Sequence, residues 1–341
     1  MGAGSCRFEL EEERIVRWAR GAGYRRILLQ APDGVKPCLG RLARALEGEG
    51  LEVVVSGSHA WGGCDVALRE AEALGCDALV HIGHHGPVRF NPPSNVLFIP
   101  GRADLPLDEA AEVAARKLSS EGLRRVGVVS SVQHLHLLHR VLSTLADYGI
   151  EGVTARSPDP QMPEGLVIGC DARAAQRLAG SVDAFLVVSG GRFHALGVAL
   201  ATGAATFALD PYTSAVTDVG AEVKRVVARR LAHLSSVFDA RDALIVASTK
   251  PGQWAGWAKL SELRRLLGER GVRSTVVVLD EVTREALEDL GPADVYVNTA
   301  CPRLSTDDYH LFPAPVVNAR ELLLVLRGGL EAYEPASSIE P

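Results

Sequence analysis

The sequence predicts an α/β protein of three repeated domains, each a parallel sheet flanked by helices. Three observations carry this. Strand and helix patterns alternate along the whole chain, and "YRRILLQAPDG" (24–34), "LRRVGVVSSVQH" (123–134) and "ARDALIVASTKPGQ" (240–253) share one shape, an apolar run ending in a turn. "CDALVHIGHH", "VDAFLVVSGGRFH" and "ADVYVNTACPRL" form a second aligned set, whose aspartates Asp77, Asp183 and Asp294 are spaced by 106 and then 111 residues. The apolar runs are continuous rather than alternating, as in parallel strands buried on both faces.

Taken in order, "MGAGSCRFELEEERIVRWAR" is charged and reads as a helix, not a signal peptide. Each domain then runs from its first strand through a helix to the aligned second set and closes on a short strand: "NVLFIPG", "ATFALDPY" and "APVVNARE". Helical segments at 66–74, 172–178 and 284–290 lie between strands. Such alternation implies right-handed crossovers and helices packed on the sheet. The boundaries fall at 1–105, 106–218 and 219–341, within the ordinary size of a domain. The closing "EPASSIEP" reads as a frayed tail.

Composition narrows the function. The 341 residues are 47% hydrophobic and 23% charged, which suits a globular protein with a substantial core. No apolar run reaches the ~18 residues of a membrane span. The net charge of −6, with no basic block, weighs against direct binding of nucleic acid. Six cysteines, Cys6, Cys38, Cys64, Cys76, Cys170 and Cys301, are too sparse for a disulfide framework and contain no CxxC. They are expected to be reduced thiols in a cytoplasmic protein, with Cys38 and Cys76 acting as small buried apolar residues.

Two of the cysteines are related by the repeat. Cys64 and Cys170 each lie 13 residues ahead of the aligned aspartate, and both stand in "GCD". A helix is expected to follow, with Asp65 and Asp171 as caps and unpaired amides favouring the thiolate. The same offsets place Cys301 opposite Gly190 and His84, and leave the third domain without a cysteine at the matching position, near Glu281. In open parallel sheets, ligands bind outside the carboxyl ends of the strands, where all three loops lie. If the domains pack about a pseudo-threefold axis with strand ends inward, the three thiols converge. Three thiolates can hold a [4Fe–4S] cluster with one iron left open. Alternatively they can hold zinc with a fourth ligand from His59, His84, His194 or Glu281.

The ordered set "WGGCDVA", "HIGHH", "VQH", "IGCDAR", "GGRFHALG", "LDPY", "TKPGQ" and "NTACPRLSTDD" resembles the archaeal diphthamide synthase family, the 2-(3-amino-3-carboxypropyl)histidine synthases, over about residues 25 to 320. His85 stands where that family is expected to carry serine. The resemblance implies a pseudo-threefold homodimer and a [4Fe–4S] cluster on Cys64, Cys170 and Cys301. It also implies radical S-adenosylmethionine chemistry without a compact CxxxCxxC loop. The 3-amino-3-carboxypropyl group would pass from S-adenosylmethionine to the imidazole C2 of a histidine in translation elongation factor 2, with an electron donor as a further partner.

Other strand-end residues are candidates for binding S-adenosylmethionine. Gly190, Gly191 and His194 form a glycine turn that lets a ligand approach the backbone. Asp210 could accept an ammonium or ribose hydroxyls, or simply close an Asp-Pro turn. Lys250 and Arg303 could meet a carboxylate, and Gln253 lies beside them. His81, His84, His85, His134 and His194 gather near strand ends, where one could take a proton or bind metal. "QHLHLLH" (133–139) has helically spaced leucines and reads as a half-buried helix. The competing readings are a quinolinate synthase-like cluster enzyme and a non-enzymatic scaffold for zinc or a nucleotide.

Overall fold

A computed structural model describes residues 6–340. Three sheets, parallel apart from one edge strand of the second, follow one another along the chain. The first contains β2 (Arg26–Gln30), β3 (Glu52–Val55), β4 (Ala78–Ile82) and β5 (Val96–Ile99), in the order β3-β2-β4-β5. It is preceded by β1 (Phe8–Glu9), which pairs antiparallel with β6 (Arg102–Ala103). The second sheet contains β7 (Arg125–Ser130), β8 (Glu151–Val153), β9 (Ala184–Val188), β10 (Thr206–Asp210) and β11 (Ala215–Asp218), in the order β11-β10-β9-β7-β8. The third contains β12 (Asp242–Ala247), β13 (Arg273–Val278), β14 (Val295–Asn298) and β15 (Val316–Asn318), in the order β13-β12-β14-β15.

All three sheets repeat one winding, in which the first strand lies between the second and the third. Strand order therefore reverses beside each first strand, and a crevice opens there at the carboxyl ends. The central strands β4, β9 and β14 are buried along their whole length, which explains their unbroken apolar sequences. Antiparallel β11, which the apolar pattern did not announce, covers the edge of β10. Among the described residues no helix is long and apolar enough to cross a membrane.

The repeated aspartates are structural. Asp77 accepts the backbone N–H groups of Arg25 (2.7 Å) and Arg26 (2.9 Å). Asp183 does the same for Arg124 and Arg125 (both 2.8 Å), and Asp294 for Arg241 (2.8 Å) and Asp242 (2.9 Å). Each carboxylate ties the start of the third strand to the start of the first, at the sheet edge opposite the thiols. Two backbone donors favour the charged form and hold all three carboxyls below the ordinary aspartate value.

Two expectations are overturned. Cys6 and Cys38 form a disulfide, with Cα atoms 5.3 Å apart, so these two are not reduced thiols. The segment leading into β1 carries Cys6 against the first core, where Cys38 is buried in the helix Lys36–Gly48. Cys64, Cys76, Cys170 and Cys301 are free. The closing segment is not frayed. Pro335–Ser338 makes a 3₁₀ turn, Ser338 donates to Glu321 (2.8 Å), and Ile339 packs in the core between the second sheet and the helix Phe193–Thr202. A buried isoleucine and a satisfied serine outweigh the ordering entropy that would let the segment fray.

Asp183→Ala should lower the melting temperature more than Asp183→Asn, whose amide oxygen can still accept one of the two strand N–H groups. Because the folded carboxyl lies below its unfolded value, its stabilisation is present above about pH 4. The gap between wild type and Asp183→Ala should therefore shrink as pH falls through the folded value, and thermal melts across that range check it.

Candidate functional site: a cavity lined by three thiols

Cys64, Cys170 and Cys301 line one cavity of about 270 Å³. Each comes from a different sheet. Cys64 follows the second strand of the first sheet, Cys170 the second strand of the second, and Cys301 the third strand of the third.

Glycine-dependent contact places Cys64. Its carbonyl accepts the Gly252 N–H (2.9 Å) from the third sheet, and Gln253 Nε2 donates toward its Sγ (3.4 Å). A Cβ on Gly252 would stand 2.0 Å from the Val88 carbonyl oxygen and 2.7 Å from the Cys64 Cα. A Cβ on Gly63 would stand 1.9 Å from the Gly86 carbonyl oxygen. "WGGC" and "KPGQ" carry glycine because two chains cross there with no room for a side chain. The neighbouring ion pairs lock the same junction. Lys250 Nζ donates to Asp65 (2.8 Å) and Glu281 (2.7 Å), Trp61 Nε1 donates to Glu281 (3.0 Å), and Arg69 bridges to Asp280 (2.8 Å). Glu281, at the position where the third domain lacks a cysteine, thus anchors the loop that carries the first one.

Gly169 lets Cys170 pass beneath Phe193, whose ring would overlap a Cβ there at 1.8 Å. Arg303 in turn lies over the Phe193 ring, 3.9 Å from its centroid, and bonds Asp307 through Nε (3.0 Å). Cys301 is fixed by Asn298, which donates to the Cys301 carbonyl (2.8 Å) and to Asn318 (2.8 Å) and accepts from the Ala300 N–H (3.0 Å). Behind that loop Arg230 and Glu321, both fully buried, form a bidentate pair at 3.0 and 2.6 Å. Arg230 also donates to the carbonyls of Ser305 and Val316. With its partners all present, this buried pair fixes one arrangement of the loop; removing either partner would strand a charge.

The predicted helix starts at the "GCD" loops are displaced. Cys64 sits in a turn ahead of the helix Leu68–Ala73, and Cys170 ahead of Arg173–Gln176. Asp65 serves Lys250 and the Trp61 N–H (3.2 Å) instead of capping, while Asp171 bonds the Arg173 N–H (3.0 Å) and guanidinium. The Cys64 and Cys170 thiols therefore gain no thiolate stabilisation from those helices, whereas the backbone N–H of Arg303, first in the helix Arg303–Thr306, favours the thiolate at Cys301. Burial pushes all three up, Cys170 to about 12, and the Cys64 and Cys170 thiols beside Cys301 push it further.

The other candidates divide. His194 lines the cavity, and its buried Nδ1 has no hydrogen-bond partner. His84 lines it too. Lys250, Gln253 and Arg303 line an adjoining pocket of about 150 Å³ that shares Cys301. Burial works against the Lys250 ammonium, but its two carboxylate partners outweigh this and raise its pKa. Gly190, Gly191 and Asp210 fall outside the cavity lining. Asp210 accepts the N–H groups of Tyr212 (2.9 Å) and Gly191 (3.4 Å), and Gly190 lies under the Tyr212 ring. His134 bonds Ser131 (3.0 Å) and Tyr212 (3.1 Å), and His59 bonds Asp33 (2.8 Å). His81 and His84 share the "HIGHH" motif, but their link to Gln30 escaped the sequence reading, since Gln30 lies on another strand 51 residues away.

The donor set fits an iron–sulfur cluster. Three soft thiols line one open-mouthed cavity with an unpartnered imidazole nitrogen beside them. Among the described residues no three His, Cys, Asp or Glu side chains are gathered closely enough for a single ion. Zinc draws its sulfurs to about 2.3 Å, whereas a cluster of several irons holds its thiolates farther apart.

Three wound sheets whose strand ends bring three thiols to one cavity make this an α/β protein with a thiol-lined site at its strand ends. The chain belongs to the diphthamide synthesis protein family, whose model matches residues 31–334. It is 32% identical to the 2-(3-amino-3-carboxypropyl)histidine synthase of Pyrococcus horikoshii, over 98% of this chain and 96% of that one. The Methanocaldococcus jannaschii synthase is 24% identical over 95% and 92%. The crystal structure of Dph2 from Pyrococcus horikoshii with a 4Fe-4S cluster superposes with a TM-score of 0.83 at 30% identity, covering 96% of this chain and 93% of that chain.

Gly252→Ala should spread the Cys64 junction at a cost of about 1–3 kcal/mol. Faster maleimide labelling of Cys64 in the cluster-free protein, with a lower melting temperature, is the expected result.

Proposed function

We propose that the chain is a 2-(3-amino-3-carboxypropyl)histidine synthase. It transfers the 3-amino-3-carboxypropyl group of S-adenosylmethionine to the imidazole C2 of a histidine in translation elongation factor 2, the first step of diphthamide formation. The observation that carries this reading is the meeting of Cys64, Cys170 and Cys301 in one cavity. The Pyrococcus and Methanocaldococcus synthases support the reaction, and the 4Fe-4S cluster of the Pyrococcus crystal structure supports the cluster type. The three domains, 1–105, 106–218 and 219–341, are arranged about a pseudo-threefold axis. A second copy of the chain and an electron donor complete the cytoplasmic assembly.

Cys64, Cys170 and Cys301 hold a [4Fe–4S] cluster, which when bound supplies the electron that opens the sulfonium bond to the methionine Cγ. The remaining work belongs to the chain. Gln253, donating toward Cys64 Sγ, favours the thiolate at that ligand. Arg303, at the rim shared by the two pockets, retains free donors beyond its bond to Asp307 and orients the methionine carboxylate. Lys250 is committed to Asp65 and Glu281 and is a positioning residue for the Cys64 loop. Apolar Val88, Val167 and Phe193 line the cavity and exclude water from the reactive fragment.

Anaerobically purified wild type should carry iron and sulfide. With dithionite and S-adenosylmethionine it should release methylthioadenosine and add the carbon fragment to elongation factor 2, read by mass spectrometry. Cys301→Ala should lose the cluster and methylthioadenosine formation together. A colourless wild type holding zinc and no iron overturns the reading.

A further inference from the structure

His84 stands at the end of a hydrogen-bonded chain whose proton positions are dictated from its far end. Gln30 Nε2 donates to the Asp65 carbonyl (2.9 Å), and Gln30 Oε1 accepts the Ala67 N–H (3.0 Å). A carbonyl can only accept and an amide N–H can only donate, so both partners fix which end of the Gln30 amide is oxygen. Oε1 also contacts His81 Nδ1 at 2.8 Å, so His81 Nδ1 must carry the hydrogen. His81 is fully buried, and burial holds its ring neutral, which leaves Nε2 as a lone pair. That lone pair contacts His84 Nδ1 at 2.8 Å, so His84 Nδ1 is the protonated nitrogen. Burial brings the His84 pKa down to about 4, so this ring is neutral too, and its Nε2 is bare. Among the described residues His84 Nε2 has no hydrogen-bond partner, and His84 lines the cavity of the three thiols. The repeat gives the position independent weight: His84 occupies, at the end of the third strand of its sheet, the place that Cys301 occupies in the third.

We propose that His84 is the catalytic base that removes the C2 proton of the target histidine, and that Gln30 and His81 are positioning residues that hold its Nε2 unprotonated. This rests on the transferase reading above. The balance of that reaction requires such a group. One electron enters the sulfonium, and the bond from sulfur to Cγ opens to the neutral thioether of methylthioadenosine and a carbon radical. That radical bonds to imidazole C2, the adduct gives one electron back, and loss of the C2 proton restores the aromatic ring. No net electron is gained or lost, and the positive charge of the sulfonium departs as that proton. Two other imidazoles line the thiol cavity, His85 and His194; His194 has a buried and unpartnered Nδ1, and no chain of side-chain partners fixes the tautomer of either ring. The Gln30 end of the chain cannot accept a proton, so the chain acts as a lock and not a wire. The proton taken by His84 leaves through the cavity mouth.

The test has two arms. In the cluster-free protein, ¹⁵N NMR of the imidazoles should show His84 as the Nδ1–H tautomer, and Gln30→Leu should release it into a mixture of tautomers. In the reconstituted enzyme, His84→Asn should retain iron and sulfide. Its transfer to elongation factor 2 should fall about 100-fold or more through kcat with KM little changed, and methylthioadenosine released per target modified should rise. Deuterium at C2 of the target histidine should then slow the residual transfer. An Nε2–H tautomer at His84 in wild type, a normal kcat in His84→Asn, or a loss confined to KM overturns the proposal. Wild type that releases no methylthioadenosine defeats the transferase reading instead, and the tautomer measurement separates the two failures.

Discussion

Three half-buried cysteines line one cavity, and desolvation of their sulfurs outweighs the cations nearby in setting their protonation. Three sulfurs gathered in a mainly apolar cavity, with few donors to them, are costly as thiolates. The cluster proposed above would relieve that cost, because a cationic multi-iron group would supply the charge the thiolates lack and fill the space they face. The packing at the strand ends serves this constraint. Gly63, Gly169 and Gly252 let loops cross at backbone distance, and the Lys250, Asp65 and Glu281 group pins the first loop to the third sheet.

The same winding, used three times, explains how such a site can be assembled without a compact motif. Each sheet reverses strand order beside its first strand and opens a crevice at the carboxyl ends. The aspartates Asp77, Asp183 and Asp294 secure the opposite edge, so the scaffold is rigid away from the chemistry. The loops then diverge. Two copies offer a thiol after the second strand, and the third copy offers it after the third strand. At the matching position of the third copy Glu281 is part of the clamp. His84, the counterpart of Cys301, kept an imidazole at the shared cavity.

The three-sheet architecture was legible because fully buried parallel strands leave unbroken apolar runs, as in "ALVHI" and "AFLVV". The three cysteines were legible because two share a repeat position and the third stands at a strand end. Where the reading failed, long-range packing had prevailed over local pattern. Asp65 has the local form of a helix cap, yet Lys250, 185 residues away, takes its carboxylate. The tail "EPASSIEP" looks polar and loose, yet Ile339 finds a core built from the second sheet. Cys6 and Cys38, 32 residues apart and with no motif between them, bond because the entry into β1 folds back over the first core.

Residue type and spacing along the chain were enough for the class of fold, the repeat and the three cysteines that meet in one cavity, since each is written in the order of the residues. Which polar groups meet was settled only by folding. That Asp210 serves a turn, that Lys250 is consumed by two carboxylates, and that Gln30 sets the tautomer of His84 through His81 depend on distances between segments far apart in sequence. Hydrogen bonds are short-ranged and directional, so no spacing along a chain can specify them until the chain has folded.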